Sequence, residues 1–324
     1  MFGGQRLAAV STPRTVAGGR GKGLKTETRA LSLAVFAMVV ASASLHVLWN
    51  TLVKRCEDKV SFAWLTTVAG TLTLAPVFVG ARLVAPGPLD ARLVGLAALS
   101  GLVEAGYILA LFTAYEHTDL SVAYPLSRGI APLAGLVPGI VLLGDTLTPG
   151  HLAGVGAIVA GVAAVAASAM TRGGDRDRTR RGVGLALVTG VLIAGYHLVD
   201  RRAMTLEPRP SVVEYYFLMH VMLLTVLTAW VLVAMPRRRR LWHEWHGNRG
   251  GVIAVGVMSV ASYMLIMIAL RWGNVTLVAA ARNIGIVIST LVGALWLRER
   301  VRVLRGVGAG LIVAGVVGLL VVKG

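Results

Sequence analysis

Long apolar runs, separated by short polar stretches, fill the chain from residue 31 to its end. A helix that spans a bilayer needs about 20 mostly apolar residues. Ten runs satisfy this: 31–53, 60–81, 92–115, 119–143, 150–170, 182–204, 212–235, 251–270, 275–297 and 303–322. The gaps are short except for two. Residues 171–181 (TRGGDRDRTRR) are polar and Gly-containing and read as a linker. Residues 236–250 hold an Arg run together with Trp242, His243, Trp245 and His246. Trp at a span end suits the interfacial aromatic belt, as do Trp64, Trp230 and Trp296. Residues 1–30 form a basic tail with Arg6, Arg14, Arg20, Lys22, Lys25 and Arg29, expected to be disordered. The run that follows is long enough to span and precedes no clear cleavage site, so it reads as a first membrane helix rather than a signal peptide.

A repeat underlies the pattern. Shifted by 154 residues, 128–162 overlays 282–316 without a gap, and eleven of the thirty-five pairs are identical. They include Arg128 with Arg282, Gly139 with Gly293, Gly154 with Gly308, and IVAGV at 158–162 and 312–316; Asp145 aligns with Glu299. Helices four and five of one half thus resemble those of the other. Because five is odd, consecutive halves must cross in opposite senses, which is the inverted repeat of many secondary transporters. The expected fold is an all-α integral membrane protein of ten transmembrane helices in two inverted five-helix repeats. Its organisation is a tail (1–30), a first repeat (31–170), a linker (171–181) and a second repeat (182–324).

Composition sharpens this. Hydrophobic residues make up 56% of the 324 and charged residues 15%, against about 25% charged in soluble domains. The net charge of +17 would suggest nucleic acid in a soluble protein. Here the basic residues sit between apolar runs and read as loop charges against anionic headgroups, so the expected partners are the bilayer and a small-molecule solute, with no nucleic acid. Lys and Arg fall on both sides of the spans, so charge fixes no orientation. The Arg-rich, Lys-poor content fits a bacterial inner (plasma) membrane. One cysteine, Cys56, excludes an intrachain disulfide and a Cys-based metal site. No enzyme motif stands out. The histidines of His243-Glu244-Trp245-His246 are too close for the zinc-protease pair, and there is no P-loop and no Gly-x-Ser-x-Gly. No cofactor or metal is expected.

Glu104, Arg128 and Arg282 lie well inside predicted spans. A charge at the bilayer centre costs about 2.5–3.5 kcal/mol on insertion scales, so such residues face the bundle interior. They form a solute or proton site, or they tie helices together. Tyr124-Pro125-Leu126-Ser127-Arg128, with Pro132 and Pro138 beyond, suggests a loosened helix whose carbonyls a cavity can use. His46, Asn50 and Lys54 are spaced by four and share a face; Tyr196, His197 and Asp200 sit in the sixth span. Histidines change charge near neutral pH, so His46, His197 and Glu104 are the candidates for proton coupling. Arg128, Arg282, Asn50, Tyr107, Tyr124 and Tyr263 are the candidates for solute binding. Tyr215 and Tyr216, near a span end, read as belt residues. The pairs Gly154/Gly161 and Gly308/Gly315 are seven apart and present small faces for close helix packing or for a homodimer.

The stretches YPLSRGIAPLAGLVPGIVLLGDTLTPGHLAGVGAIVAGV (124–162) and ARNIGIVISTLVGALWLRERVRVLRGVGAGLIVAGV (281–316) resemble the EamA domains of the drug/metabolite transporter superfamily. The shared pattern is an Arg early in a helix, a short acidic turn, then a Gly-rich helix ending in AGV. LHVLWNTLVKR (45–55) and YHLVDRRAM (196–204) are similar to a bacterial branch some of whose members are linked to phosphonate use, although Arg201 replaces an expected Gly. The resemblance implies a gradient-driven permease, often an exporter of amino acids, metabolites or toxic compounds. It also implies a cavity lined by helices 1, 3, 4, 6, 8 and 9, and cytoplasmic termini. The reading is a secondary transporter of a small metabolite, not an enzyme, in which Arg128 and Arg282 neutralise an anionic or zwitterionic solute. The rival readings are a membrane enzyme using His, Glu and Arg for acid–base work, and a scramblase or scaffold that needs no buried charges.

Overall fold

The computed structural model describes residues 33–143, 149–170, 175–204, 206–208, 210–234, 238–272 and 282–321. Among these residues there are ten helices and no strand: α1 (Leu33–Arg55), α2 (Lys59–Val84), α3 (Ala91–His117), α4 (Leu120–Leu143), α5 (Pro149–Met170), α6 (Arg176–Met204), α7 (Val212–Ala234), α8 (Arg238–Trp272), α9 (Ile284–Leu295) and α10 (Val303–Val321). In hydrocarbon every backbone N–H and C=O must be satisfied within the protein, and a helix does this within one segment. Seven helices among the described residues are long and apolar enough to cross a membrane. The surface is apolar: Leu83 is 77% exposed, Leu295 80% and Val233 89%. The interior is polar in places, with Ser42, Asn50, Thr51, Ser100, Ser121, Thr189 and Ser289 all buried. That inversion of the soluble pattern is what lipid as solvent requires.

Three elements depart from the sequence reading. α6 begins at Arg176, inside the polar stretch 171–181. α8 begins at Arg238 and bends at Asn248 (φ −141°, ψ 28°), so a short helix over 238–247 precedes its span. In that short helix Trp242, His243 and His246 are exposed while Glu244 is buried. Glu244 Oε2 accepts the Asp58 N–H at 3.1 Å, fixing the segment to the turn between α1 and α2. α4 is helical through Pro125, Pro132 and Pro138, each of which, lacking an N–H, leaves a carbonyl one turn earlier without its helical donor. In the ninth span Asn283 is a turn between Arg282 and α9.

The most extensive helix pairings follow a rule. α5 packs on α10, α2 on α7 and α4 on α9; α3 packs on α6 and α1 on α8; α4 packs on α6 and α1 on α9; α2 packs on α8 and α3 on α7. Replacing each helix by the one five places away returns this same set. Ser42 and Ser262 tie α1 to α8, each hydroxyl donating to the other's carbonyl at 2.7 and 2.9 Å. Glycine brings α5 and α10 into backbone contact. A Cβ on Gly161 would lie 2.6 Å from the Gly308 carbonyl oxygen, and one on Gly315 2.6 Å from that of Gly154. The two small-residue stripes therefore occupy one another within the chain and are not a homodimer surface.

One end of the bundle is closed by polar contacts. Glu299, in the turn before α10, accepts the backbone N–H groups of Leu120 (2.8 Å) and Ser121 (3.0 Å) and the Ser121 hydroxyl (2.5 Å). A carboxylate there meets both the open donors and the positive end of the α4 dipole. Arg298 before it has φ 54°, a left-handed conformation that a β-carbon disfavours. Arg305 is 1% exposed and pairs with Asp119 at 3.2 Å, with the Ser121 oxygen accepting a second of its bonds at 2.6 Å. Lys54 donates to the carbonyls of Tyr115 and Thr118, capping the C-terminal end of α3.

Candidate functional site

The predicted interior residues converge where α1, α3, α4 and α6 meet, with Arg282 entering from the break before α9. Arg128 lies eight residues into α4, about 12 Å from its start at 1.5 Å per residue. Its Nη2 is 2.5 Å from His46 Nε2. A guanidinium has no acceptor, so Arg128 donates and His46 Nε2 is the unprotonated ring nitrogen. The Arg128 guanidinium also lies 5.6 Å from the centre of the Tyr124 ring. His46 meets Tyr124 and Trp49 edge-on, at 5.8 and 4.8 Å between centroids. Gly285 leaves room for this arrangement: a Cβ there would lie 2.8 Å from the Tyr124 hydroxyl. Among the described residues neither Arg128 nor Arg282 forms an ion pair with a carboxylate, and the two guanidinium groups are near enough to repel.

Tyr107 of α3 and Tyr196 of α6 meet at 5.6 Å, and Tyr196 lies edge-on to its neighbour His197 at 4.5 Å. Glu104 stands one turn before Tyr107, and its Oε2 is buried without a hydrogen-bond partner among the described residues. Tyr263 stacks on Tyr216 at 4.1 Å. Asn50 is committed elsewhere. It is 0% exposed, takes the Tyr115 hydroxyl on Oδ1 at 2.6 Å and gives Nδ2 to the His46 carbonyl at 2.6 Å. It fixes α1 to α3 below His46 and has no surface to offer a solute.

The belt reading of Tyr215 and Tyr216 is overturned. Both are buried, and the Tyr215 hydroxyl donates to Asp200 Oδ1 at 2.6 Å. Ser100 donates to that same oxygen, also at 2.6 Å. Asp200, Ser100, Tyr196 and Tyr216 are interior residues that were not among the sequence candidates. The i,i+4 spacing of Tyr196 and Asp200 was the available signal.

Residues 180–321 match the EamA-like transporter family. That part of the chain is an EamA-like transporter domain. Together with the apolar helices, this match indicates a multi-pass membrane protein. A solved structure described only as "Crystal structure of protein" is similar in fold, with 21% sequence identity and a TM-score of 0.57. The similarity covers 88% of this chain and 98% of that one. No curated protein matches the sequence. Within the EamA-like domain lie Tyr196, His197, Asp200, Tyr216, Tyr263 and Arg282; His46, Glu104, Tyr107, Tyr124 and Arg128 come from the part before it. The site is therefore shared between the two halves of the chain.

Proposed function

We propose that the protein is a proton-coupled secondary transporter of a small anionic or zwitterionic metabolite, working in the inner membrane of a bacterium. Its ten spanning helices form two inverted five-helix repeats. The five-place exchange that preserves the most extensive helix pairings, and the repeat of 128–162 in 282–316, support that architecture. Alternating access uses such symmetry directly, since each half can lead one opening. The end tied by Glu299, Arg305 and Lys54 is the closed gate of this state.

The observation that carries the reading is the pair of interior arginines without a carboxylate partner among the described residues. Arg128 is held by a neutral imidazole and aromatic faces, which leave its charge in place. Two like charges in a low-dielectric interior repel strongly, and a bound anion offsets both. His46, His197 and Glu104 are the proton-coupling groups, His46 being the one whose lone pair is released when an anion draws Arg128 away. Tyr107, Tyr124 and Tyr263 wall the cavity, and Asn50 positions His46.

The test uses purified protein in sealed liposomes with an imposed proton gradient, presenting amino acids, phosphonates and small organic acids while lumenal pH is read. The expected result is solute-dependent proton flux that is abolished when Arg128→Ala and Arg282→Ala are combined. Unchanged flux in a folded double variant would exclude the arginines as the anion site.

A further inference from the structure

A second polar cluster adjoins the arginines, of opposite charge. Glu104 lies near the middle of the 27-residue α3, one turn beyond Ser100, which donates to Asp200 Oδ1 of α6 at 2.6 Å. Asp200 has two donors, Ser100 and Tyr215, from two other helices. Glu104 Oε2 has none among the described residues and is sealed from solvent. A buried carboxylate without a partner is expensive to keep. A proton removes the charge but leaves Oε2 without a hydrogen-bond partner among the described residues. Aromatic rings stand beside the pair: Tyr196, one turn before Asp200, meets Tyr107, one turn beyond Glu104, at 5.6 Å, and Tyr216, next to the Tyr215 that donates to Asp200, stacks on Tyr263 at 4.1 Å. Ring faces attract cations, so the surroundings suit an organic cation with N–H donors. They do not suit a metal ion, for which no group of three or more His, Cys, Asp or Glu exists among the described residues. Tyr196 is within reach of both arginines and both carboxylates. The anion pocket and the acidic pocket are therefore neighbours across one side chain.

We infer that Glu104 and Asp200, with Tyr196, Tyr216 and Tyr263, form an ammonium subsite, and that the solute is a zwitterion spanning from this subsite to Arg128 and Arg282. The inference rests on the anion pocket proposed above. A carboxylate that holds an ammonium group in the loaded pocket is free to take a proton in the empty one, so the assignment is compatible with the proton role of Glu104.

Matched ligands test it. Binding to the purified full chain is measured by equilibrium dialysis for 4-aminobutyrate against butyrate, L-alanine against propionate and L-phenylalanine against 3-phenylpropionate. The amine member of at least one pair should bind about tenfold or more tightly than its deaminated acid, the worth of one charge-assisted hydrogen bond in a buried site. That ratio should fall towards one in Glu104→Gln and in Asp200→Asn. Equal affinity within every pair in the wild type overturns the subsite, a comparison that needs no variant to fold. So does a preference undiminished in Glu104→Gln. Deaminated acids that bind without preference sink the ammonium subsite alone. Failure of both members of every pair to bind folded wild-type protein sinks the anion pocket with it.

Discussion

Glu299→Gln tests what holds the start of α4, the helix that carries Arg128. The carboxylate accepts three hydrogen bonds, at 2.8, 3.0 and 2.5 Å. Hydrogen bonds to a charged acceptor contribute about 1.5–3 kcal/mol each. Glutamine keeps one carbonyl oxygen, and placed where Oε2 stands it still accepts the Ser121 N–H and hydroxyl. Its amide then turns a donor toward the Leu120 N–H, which loses its acceptor. Losing that one bond gives about 1.5–3 kcal/mol, or roughly tenfold to a hundredfold in the opening equilibrium of the first turn. Amide hydrogen exchange reads that equilibrium locally. Protection of Leu120 should fall by about one to two orders of magnitude, while amides in the middle of α6 hold theirs. Glu299→Asp, shorter by one methylene but still charged, should lose less. Protection unchanged within about threefold in Glu299→Gln, corresponding to less than 1 kcal/mol, would refute the cap and leave the turn as a passive connection.

Two further outcomes are expected. Gly161→Val puts side-chain atoms into the α10 backbone, where even a Cβ would lie 2.6 Å from the Gly308 carbonyl; overpacking costs about 1–3 kcal/mol, so unfolding in a denaturing-detergent titration should begin earlier, and Gly156→Val, which meets nothing within 4 Å, should not shift it. Cys56, between α1 and α2, is buried and its thiol is pushed up to about 12, chiefly by desolvation. Maleimide should react slowly near neutral pH and quickly once the chain unfolds, because the thiolate is the nucleophile. As the folded thiol holds its proton more tightly than the unfolded one, its contribution to stability is complete below the unfolded value of 9.0 and is lost as pH rises through about 12.

Much of the fold was legible because lipid imposes a one-dimensional rule: run length predicts a helix, and over the described residues a helix stands at each of the ten predicted runs. The half-buried interior charges were legible for the same reason, since Glu104, Arg128 and Arg282 interrupt apolar runs. What sequence spacing cannot say is which helix lies opposite. Tyr215 and Tyr216 sit near the start of α7, a belt position by count, yet α7 packs on α3 and Tyr215 donates inward to Asp200 of α6. Asn50 shares a face with His46, but Tyr115 from α3 occupies its oxygen. The glycine stripes promised a close contact without naming a partner, and each proved to be the other's. Glu299 looked like an acidic loop residue, because a cap made across 179 residues of sequence leaves no local signature.

The halves repeat their framework and not their chemistry. Arg128 and Arg282 are matched, as are Gly154 with Gly308 and Gly161 with Gly315, the positions that set helix approach and central charge. Glu104 and Asp200 sit one on α3 and one on α6, and those two helices pack on one another. Exchange by five places turns that pair into α8 and α1, which Ser262 and Ser42 join by hydroxyl hydrogen bonds. Across the first pair of helices Ser100 bonds a carboxylate, and across the second two serines bond one another. The pocket proposed above thus has a polar direction, positive near the repeated arginines and negative toward the acid pair. A solute with two opposite charges can enter such a pocket in one orientation at much lower free energy than in the reverse, whereas a simple anion gains nothing from the acidic side and is repelled by it. The asymmetry is what makes the acid pair informative: a frame that needed the two carboxylates for packing alone would have been served by the serine contact it already uses between α1 and α8.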